Sequence, residues 1–212
     1  MILLAMYGRA RSGKDTAADY LAQQLGLYKY AFAEPLKTML KSVFGDHFHE
    51  GDRSGICPET GKSYREMMQT LGTDLGRNLW NEDVWINLVQ KKWDWVKDGC
   101  PVETNLGTMR NFRLNGEGTN GMILSDLRFD SEAEWVRSHG GFVIEVVRDH
   151  YTLVPPGIAG HQSEAGVNAL LVDMVANNRG SLEDLQDCLD GIVFAAKKPG
   201  YLESLRSQAR GS

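Results

Sequence analysis

The sequence predicts an α/β fold built as one domain. Three observations carry this. Short apolar runs of strand length recur along the chain, stretches with helical spacing lie between them, and the first run passes through a glycine-bounded loop directly into a helix. At 212 residues the chain can bury a substantial core and still carry a small lid or inserted subdomain.

Met1 to Tyr7 is the first apolar run, and Ala17, Ala18, Tyr20, Leu21 and Leu25 mark one face of the helix that follows. Between them lies Gly8-Arg9-Ala10-Arg11-Ser12-Gly13-Lys14-Asp15-Thr16. Gly, four residues, Gly and Lys between a strand and a helix is the phosphate-cradling P-loop arrangement. The glycines admit an anion close to the backbone, and the amides at the helix start point at it with the helix dipole behind them. Lys14 is placed to reach the terminal phosphates. Asp15 stands where Ser or Thr usually offers Mg²⁺ a hydroxyl, and Thr16 follows it. A carboxylate also suits Mg²⁺, directly or through water, so either residue can serve the metal. The alternative is a glycine-rich turn that matches by chance. The loop speaks for nucleoside triphosphate binding and leaves the fate of the phosphate open.

Composition narrows the classes. A formal charge of −5 argues against a dedicated nucleic-acid binder, though it permits a local basic pocket for a small anion. Cys57, Cys100 and Cys188 are odd in number and lack paired spacing, so no disulfide framework is expected and a reducing cytoplasm is. No apolar run approaches the ~18 residues of a membrane span, and the N-terminus lacks the basic start of a signal peptide. The polar tail Ser204 to Ser212 is expected to fray, and residues 196–212 are read as a C-terminal tail.

After the first helix, Tyr28 to Ala33 reads as a second strand. Glu34-Pro35-Leu36-Lys37 opens a helix with Pro in its first turn and Leu36, Met39, Leu40 and Val43 as its apolar face. Lys37 lies just past a strand end, where open parallel sheets bind ligands; an ordinary surface lysine is the alternative. Residues 45–63 read as a loop, and His47, His49 and Cys57 in it match no standard zinc spacing. Tyr64 to Leu79 is expected to be helical. Met67, Met68, Leu71 and Leu75 give it an apolar side, while Arg65, Gln69, Thr73 and Arg77 recur every fourth residue along a polar one. Such a stripe is either a solvated face or a phosphate clamp, since guanidinium offers paired donors that match phosphate oxygens. Gln69 between the arginines would read a base edge.

Trp85, Leu88, Val89, Trp93 and Val96 mark the next helix, and Trp80 just before it is a candidate stacking surface. Residues 98–121, rich in Gly, Asn and Thr, read as a loop or hairpin insertion. Gly121 to Leu124 is a strand leading to Ser125-Asp126-Leu127-Arg128-Phe129. An acid at a strand end is the second nucleotide-binding element of P-loop proteins: Asp126 would hold Mg²⁺ through water and Arg128 a phosphoryl group, with a local ion pair as the alternative. Asp130 or Ser131 would cap a helix that turns Ala133, Trp135 and Val136 inward. Phe142 to Val147 is a further strand, closed by Arg148. Residues 149–166, with Pro155-Pro156-Gly157, His150, His161, Ser163 and Glu164, are the candidate lid. Leu171 to Ala176 is the last strand. Asn177 and Asn178 beyond it would touch an adenine or simply form a turn. Ser181 and Asp184 then cap a final helix that buries Leu182, Leu185, Leu189, Ile192 and Val193.

Assembled in order over residues 1–195, these pieces resemble the bacteriophage-type deoxynucleoside monophosphate kinases. The resemblance rests on Gly8 to Thr16, Phe32-Ala33-Glu34-Pro35-Leu36-Lys37, Gln69-Thr70-Leu71-Gly72-Thr73-Asp74 and Arg77. It continues with Asp83-Val84-Trp85, Ser125 to Phe129 with Glu132, His161-Gln162-Ser163-Glu164 and Asn177-Asn178. Relatives also carry Gly-Lys-Asp in the loop. The resemblance implies a three-layer P-loop fold: a five-stranded parallel sheet with helices on both faces, a helical monophosphate-binding region at 38–97, and the lid. It implies phosphorylation of deoxynucleoside monophosphates with ATP and Mg²⁺, in the cytoplasm of the host if the source is viral. Several relatives act as dimers, which makes a homodimer the implied assembly.

The implied site places the ATP phosphates on Gly8 and the amides of Ala10, Arg11, Ser12, Gly13, Lys14, Asp15 and Thr16. Arg148, Asn177 and Asn178 complete the ATP side. Lys14, Arg11, Asp126 and Arg128 form the catalytic set, and Mg²⁺ falls to Asp15 or Thr16 with Asp126. Lys37, Arg65 and Arg128 would grip the acceptor's phosphate, with Arg77 as a weaker contact. Gln69, Asp74, Trp80 and Trp85 would line the base and sugar pocket, and Glu132 belongs with the substrate set. Two other readings fit the same motifs: a P-loop kinase for another small acceptor, such as dephospho-coenzyme A or phosphomevalonate, and a regulatory module that merely holds or hydrolyses ATP.

Overall fold

The computed structural model describes residues 1–46, 55–104, 107–110, 119–148, 166–198 and 200–209. The chain divides into two compact units, Met1–Tyr30 with Trp93–Ser212, and Ala31–Lys92.

The strands are β1 (Ile2–Tyr7), β2 (Tyr28–Tyr30), β3 (Pro101–Thr104), β4 (Gly107–Arg110), β5 (Gly121–Leu124), β6 (Phe142–Val147) and β7 (Met174–Asn177). Five of them form one sheet in the order β2-β5-β1-β6-β7, with every pair parallel. This is the five-stranded parallel sheet that the family resemblance implies. The helices are α1 (Lys14–Leu25), α2 (Glu34–Phe44), α3 (Tyr64–Gln69), α4 (Val84–Lys97), α5 (Asp130–Ser138), α6 (Leu182–Lys197) and α7 (Tyr201–Ala209).

Alternation along the strands explains the layers. Leu4, Met6, Ile123, Phe142, Ile144, Val146 and Ala176 form one cluster with Ala17, Ala18, Leu21 and Leu25 of α1 and Leu185, Leu189, Ile192 and Val193 of α6. The intervening residues Leu3, Ala5, Met122, Leu124 and Val143 are also buried. On that side Val136 of α5 and Leu3 crowd Gly141. Both faces are covered, which is why these strands read as continuous apolar runs rather than alternating ones.

Several expectations shift in detail. β2 stops at Tyr30, because Ala31 enters a turn in which its carbonyl accepts the Glu34 N–H at 3.1 Å and the chain swings into α2. On α2 only Leu36 and Leu40 are buried, while Met39 and Val43 are exposed. Within the stretch expected to be a loop or hairpin insertion, β3 pairs antiparallel with β4. Leu171 ends a short 3₁₀ turn (Ala169–Leu171) rather than starting a strand, since Asn168 Oδ1 takes the Leu170 N–H at 3.0 Å. Leu182, expected in the core, is exposed at the first position of α6. The candidate lid lies outside the described residues apart from Gly166, as do His47 and His49.

The largest departure is at the C-terminus, where the expected fraying tail forms α7. Leu202 joins the core. Arg206 grips Asp173, Nε to Oδ1 at 2.9 Å and Nη2 to Oδ2 at 3.1 Å. It also donates to the Gly141 carbonyl and stacks 4.0 Å from the Phe142 ring centroid. The Asp173 carboxylate further accepts the Val143 N–H at 3.0 Å. A polar tail thus carries a buried tie.

In the second unit, Leu36, Leu40, Cys57, Tyr64, Met67 and Trp85 make a separate core. α3 opens on a capping box: Ser63 Oγ accepts the Glu66 N–H at 3.2 Å and Glu66 Oε2 accepts the Ser63 N–H at 2.9 Å. From Thr70 to Trp80 the helix continues with π geometry rather than as the single α-helix expected.

Two measurements check this account. Arg206→Ala leaves Asp173 short of its main partner and should lower unfolding free energy by about 2–3 kcal/mol, read by denaturant titration. The second concerns acid. The Ser63 amide and then its hydroxyl hold Glu66 below its ordinary pKa, and the Ser181 hydroxyl and then its amide do the same for Asp184. Carboxylates lowered on folding stabilise fully above their ordinary pKa, and that stability is lost as pH falls through the lowered values. The thermal midpoint of Glu66→Gln/Asp184→Asn should therefore fall less than that of the parent between pH 7 and pH 3.

Candidate functional site

In a parallel sheet covered on both faces, side chains meet a ligand only at the strands' C-terminal ends. In the first unit those ends deliver the predicted residues together. β1 delivers Gly8 to Lys14, β5 is followed by Asp126, β6 by Arg148, and β7 ends at Asn177. The Leu127 N–H donates to the Met6 carbonyl at 3.1 Å, so the segment carrying Asp126 and Arg128 stays beside β1 past the end of β5. Asp126 is half-buried and Arg128 exposed.

The loop has the local structure that an anion needs. Gly13 stands at the N-cap of α1 with φ 97°, in the left-handed region, and no side chain caps the helix. The first amides of α1 therefore carry the dipole's positive end with no side chain at the cap position bonded to them, and Asp15 lies in the same first turn. Lys14 Nζ donates to the Arg9 carbonyl at 2.8 Å, folding the ammonium back over the loop. Arg11 is exposed and sits at φ 63°, an uncommon conformation for a residue with a Cβ. Nothing in the sequence pattern signals that strain.

The metal candidates differ in setting. Asp15 has a side chain 83% exposed, with Lys29 Nζ 4.0 Å away; that ammonium is held at 2.6 Å by Asp19 instead. Thr16 is exposed on the first turn of α1. Among the described residues no three His, Cys, Asp or Glu side chains gather into a metal site. Mg²⁺ carried on a nucleotide needs only one or two carboxylates beside the phosphates, and Asp15 and Asp126 fit that donor set.

Two residues expected to touch ligands are occupied elsewhere in this unit. Glu132 is only 2% exposed, and its Oε2 accepts the N–H groups of Arg128 at 2.8 Å and Phe129 at 3.2 Å. It caps α5 and fixes the Arg128 backbone, a role Asp130 or Ser131 was expected to fill. Glu three residues after the cap position is the signal that would have shown it. Asn178 is 7% exposed and donates through Nδ2 to the Ser12 carbonyl at 2.8 Å. Asn177, at the strand end, is exposed.

The second unit carries the remaining candidates. Lys37 lies 3.8 Å from Glu34 on the first turn of α2. Arg65 and Gln69 are half-buried on α3, and Asp74 is exposed on the π-helix. Arg77 donates to the Glu82 carbonyl at 3.3 Å. Thr73, expected on the polar stripe, is buried. Trp80 is 56% exposed, as a stacking surface requires. Trp85 is a core residue, with 3% of its surface exposed and its indole N–H donated to the Gly72 carbonyl at 2.7 Å. That removes it from the set lining a base pocket.

Comparison with known proteins is consistent in kind. The family model described as deoxynucleotide monophosphate kinase matches residues 2–57 and 57–189. The deoxynucleotide monophosphate kinase of Enterobacteria phage T4 is 25% identical over 255 residues, covering 87% of this chain and 95% of its own. That of Escherichia phage RB69 is 29% identical over 266 residues, covering 91% and 100%. A protein of Acanthamoeba polyphaga mimivirus, provisionally given the same name, is 29% identical over 203 residues, covering 87% and 92%. A solved structure from Chloroflexus aurantiacus aligns over 98% of this chain and 75% of its own at 16% identity and TM-score 0.37, too distant to bear on the fold.

The Arg11 backbone offers a direct check. Arg11→Gly relieves the left-handed conformation and should raise unfolding free energy by about 1 kcal/mol. The same change removes a cation from the loop, so affinity for inorganic tripolyphosphate should fall. Denaturant titration and calorimetry read the two effects separately.

Proposed function

The chain belongs to the deoxynucleotide monophosphate kinase family and is a nucleotide kinase; on that premise we propose that it moves the terminal phosphoryl group of ATP, with Mg²⁺, to a deoxynucleoside monophosphate. The products are ADP and the deoxynucleoside diphosphate. The observation that carries the reading is the start of α1 behind the Gly8–Lys14 loop, left without a side-chain cap, with Asp126 just past the end of the adjoining strand β5.

Phosphoryl transfer asks for position and charge neutralisation more than for covalent help. In the proposed arrangement the loop amides hold the donor's phosphates, and Lys14 leaves the Arg9 carbonyl for the oxygens between the β and γ positions. An oxygen of the acceptor's phosphate attacks the γ phosphorus in line, while the bond to the bridging oxygen breaks and ADP departs with that electron pair. Mg²⁺ would neutralise charge on the donor phosphates, and Asp15 and Asp126 are the carboxylates that would hold it, directly or through water. Arg128, its backbone fixed by Glu132, would stabilise the moving group. Lys37 and Arg65 would grip the acceptor's phosphate, with Arg77 in a lesser part. Gln69, Asp74 and Trp80 would hold base and sugar. Arg148 would close over the donor and help keep water from the phosphoryl group.

The deciding assay measures ADP release from ATP with each common deoxynucleoside and ribonucleoside monophosphate. Stimulation by at least one deoxynucleoside monophosphate is expected; ATP turnover that none of them raises would defeat the reading. Lys14→Met should lower turnover by about 10²–10³ without loss of folded structure. Arg65→Ala should raise the acceptor's KM well above any change in that of ATP, and equal rises for both would remove Arg65 from the acceptor side.

A further inference from the structure

The Ser12–Gly13 peptide is held from a point 166 residues away in sequence. Asn178 follows β7, and its own N–H donates to the Val147 carbonyl at 2.8 Å, which extends the β6–β7 ladder by one residue. Its side-chain Nδ2 then donates to Ser12 O at 2.8 Å. The lack of a side chain at Gly13 makes room for this, because a Cβ there would run into Asn178 Nδ2. Ser12 itself is 4% exposed, and its hydroxyl is buried with no hydrogen-bond partner among the described residues. The Ser12 side chain therefore does not anchor the peptide, and the bond to Asn178 does. Asn178 is in turn mounted close to a rigid start of α6, where Asp184 accepts both the amide and the hydroxyl of Ser181.

A trans peptide is planar, with its C=O and N–H pointing in opposite directions. Fixing the Ser12 carbonyl toward Asn178 thus aims the Gly13 N–H the other way, away from Asn178. We propose that Asn178 is a positioning residue that sets the Ser12–Gly13 peptide, and through it the amides that receive the donor's phosphates, rather than a contact to the donor's base. This inference rests on the reading of the loop as the donor-phosphate site. Its consequence is chemical: the part of the donor that feels Asn178 is the polyphosphate, common to every nucleoside triphosphate. Preorganised amides bind charge without a reorganisation cost at the moment of binding, and a loosened peptide forfeits that advantage.

The test uses the full chain with Asn178→Ala and Asn178→Asp, the second nearly isosteric but with an acceptor in place of the donor. Dissociation constants for ATP, GTP and inorganic tripolyphosphate are measured by calorimetry, and amide exchange at residues 13–16 is followed without ligand. Asn178→Ala should weaken all three ligands by a similar factor, roughly ten-fold, Asn178→Asp by more, and amide exchange should quicken in both. Loss for ATP with tripolyphosphate unchanged would mean a base contact and overturn the proposal. A lower thermal midpoint with all three affinities and the amide exchange intact would mean a merely structural bond, and overturn it equally. If the parent chain binds none of the three, the donor-site reading fails first and takes this inference with it. If the parent binds them and exchange in the variants is unchanged, the latch alone fails.

Discussion

Everything in the first unit depends on β1 being an interior strand. Its residues Ile2 to Ala5 pair with Gly121 to Leu124 of β5, and Leu4 to Tyr7 pair with Phe142 to Glu145 of β6. Its side chains from Leu3 to Met6 are buried on both faces. With its edges spent on ladders and its faces on packing, the strand can offer chemistry only at its end. Parallel pairing makes the ends of β5, β6 and β7 point the same way. That Asp126, Arg148 and Asn177 lie at or just past strand ends on the same edge of the sheet as the Gly8–Lys14 loop is thus a consequence of strand order, set before any one of those side chains is chosen.

That constraint also explains what could be read from the sequence and what could not. The strand, loop and helix around Gly8–Thr16 were legible because strand, glycines, lysine and helix are contiguous, so local geometry follows from local sequence. The strands were legible because burial on both faces leaves unbroken apolar runs at Leu3–Met6, Met122–Leu124 and Phe142–Ile144, while their assembly into one five-stranded parallel sheet was implied by the family resemblance. The role of Asn178 was not, because its partner is a main-chain carbonyl remote in sequence, and a carbonyl has no residue identity to recognise. The α7 helix was missed for a related reason. Arg206 looks like a solvated tail residue until Asp173 is known to lie opposite it, for a charge reads as polar whether or not it is paired. Trp85 and Glu132 differ again: helical spacing pointed to a core role for Trp85, the cap of α5 was expected at Asp130 or Ser131 rather than at Glu132, and the family resemblance drew both toward the ligand.

Charge placement resolves an apparent conflict. A chain with a formal charge of −5 repels polyphosphate at long range, yet the screening length in physiological salt is only ~8 Å. In the function proposed, the amides at the start of α1 and Lys14 would dominate at contact, and nearby acids are managed locally. Asp19 holds Lys29 at 2.6 Å, so Asp15 is left exposed toward solvent rather than locked in an ion pair. An exposed carboxylate beside a phosphate is unfavourable by itself and favourable with a divalent cation between the two. In the function proposed, the carboxylate of Asp15 would therefore act together with the metal.

In the second unit the π-helix from Thr70 to Trp80 alters what the four-residue stripe means. With i→i+5 bonding the turn is wider, so residues four apart no longer stack along one face. Arg65 and Gln69 belong to the α-helical part, but Thr73 turns inward and is buried, and Arg77 reaches forward to the Glu82 carbonyl. Trp85 supports this geometry at two points. Its indole N–H takes the Gly72 carbonyl, and a Cβ on Gly76 would lie 2.5 Å from its ring, so only glycine allows the ring that close. π-helices are rare and concentrate where function repositions a side chain. Here Asp74 is exposed on the helix and Trp80 is exposed at its end, while the buried Trp85 holds the helix at Gly72 and Gly76. Base and sugar recognition, in the function proposed, then depends on Trp85 through the helix it holds rather than through contact with the ligand.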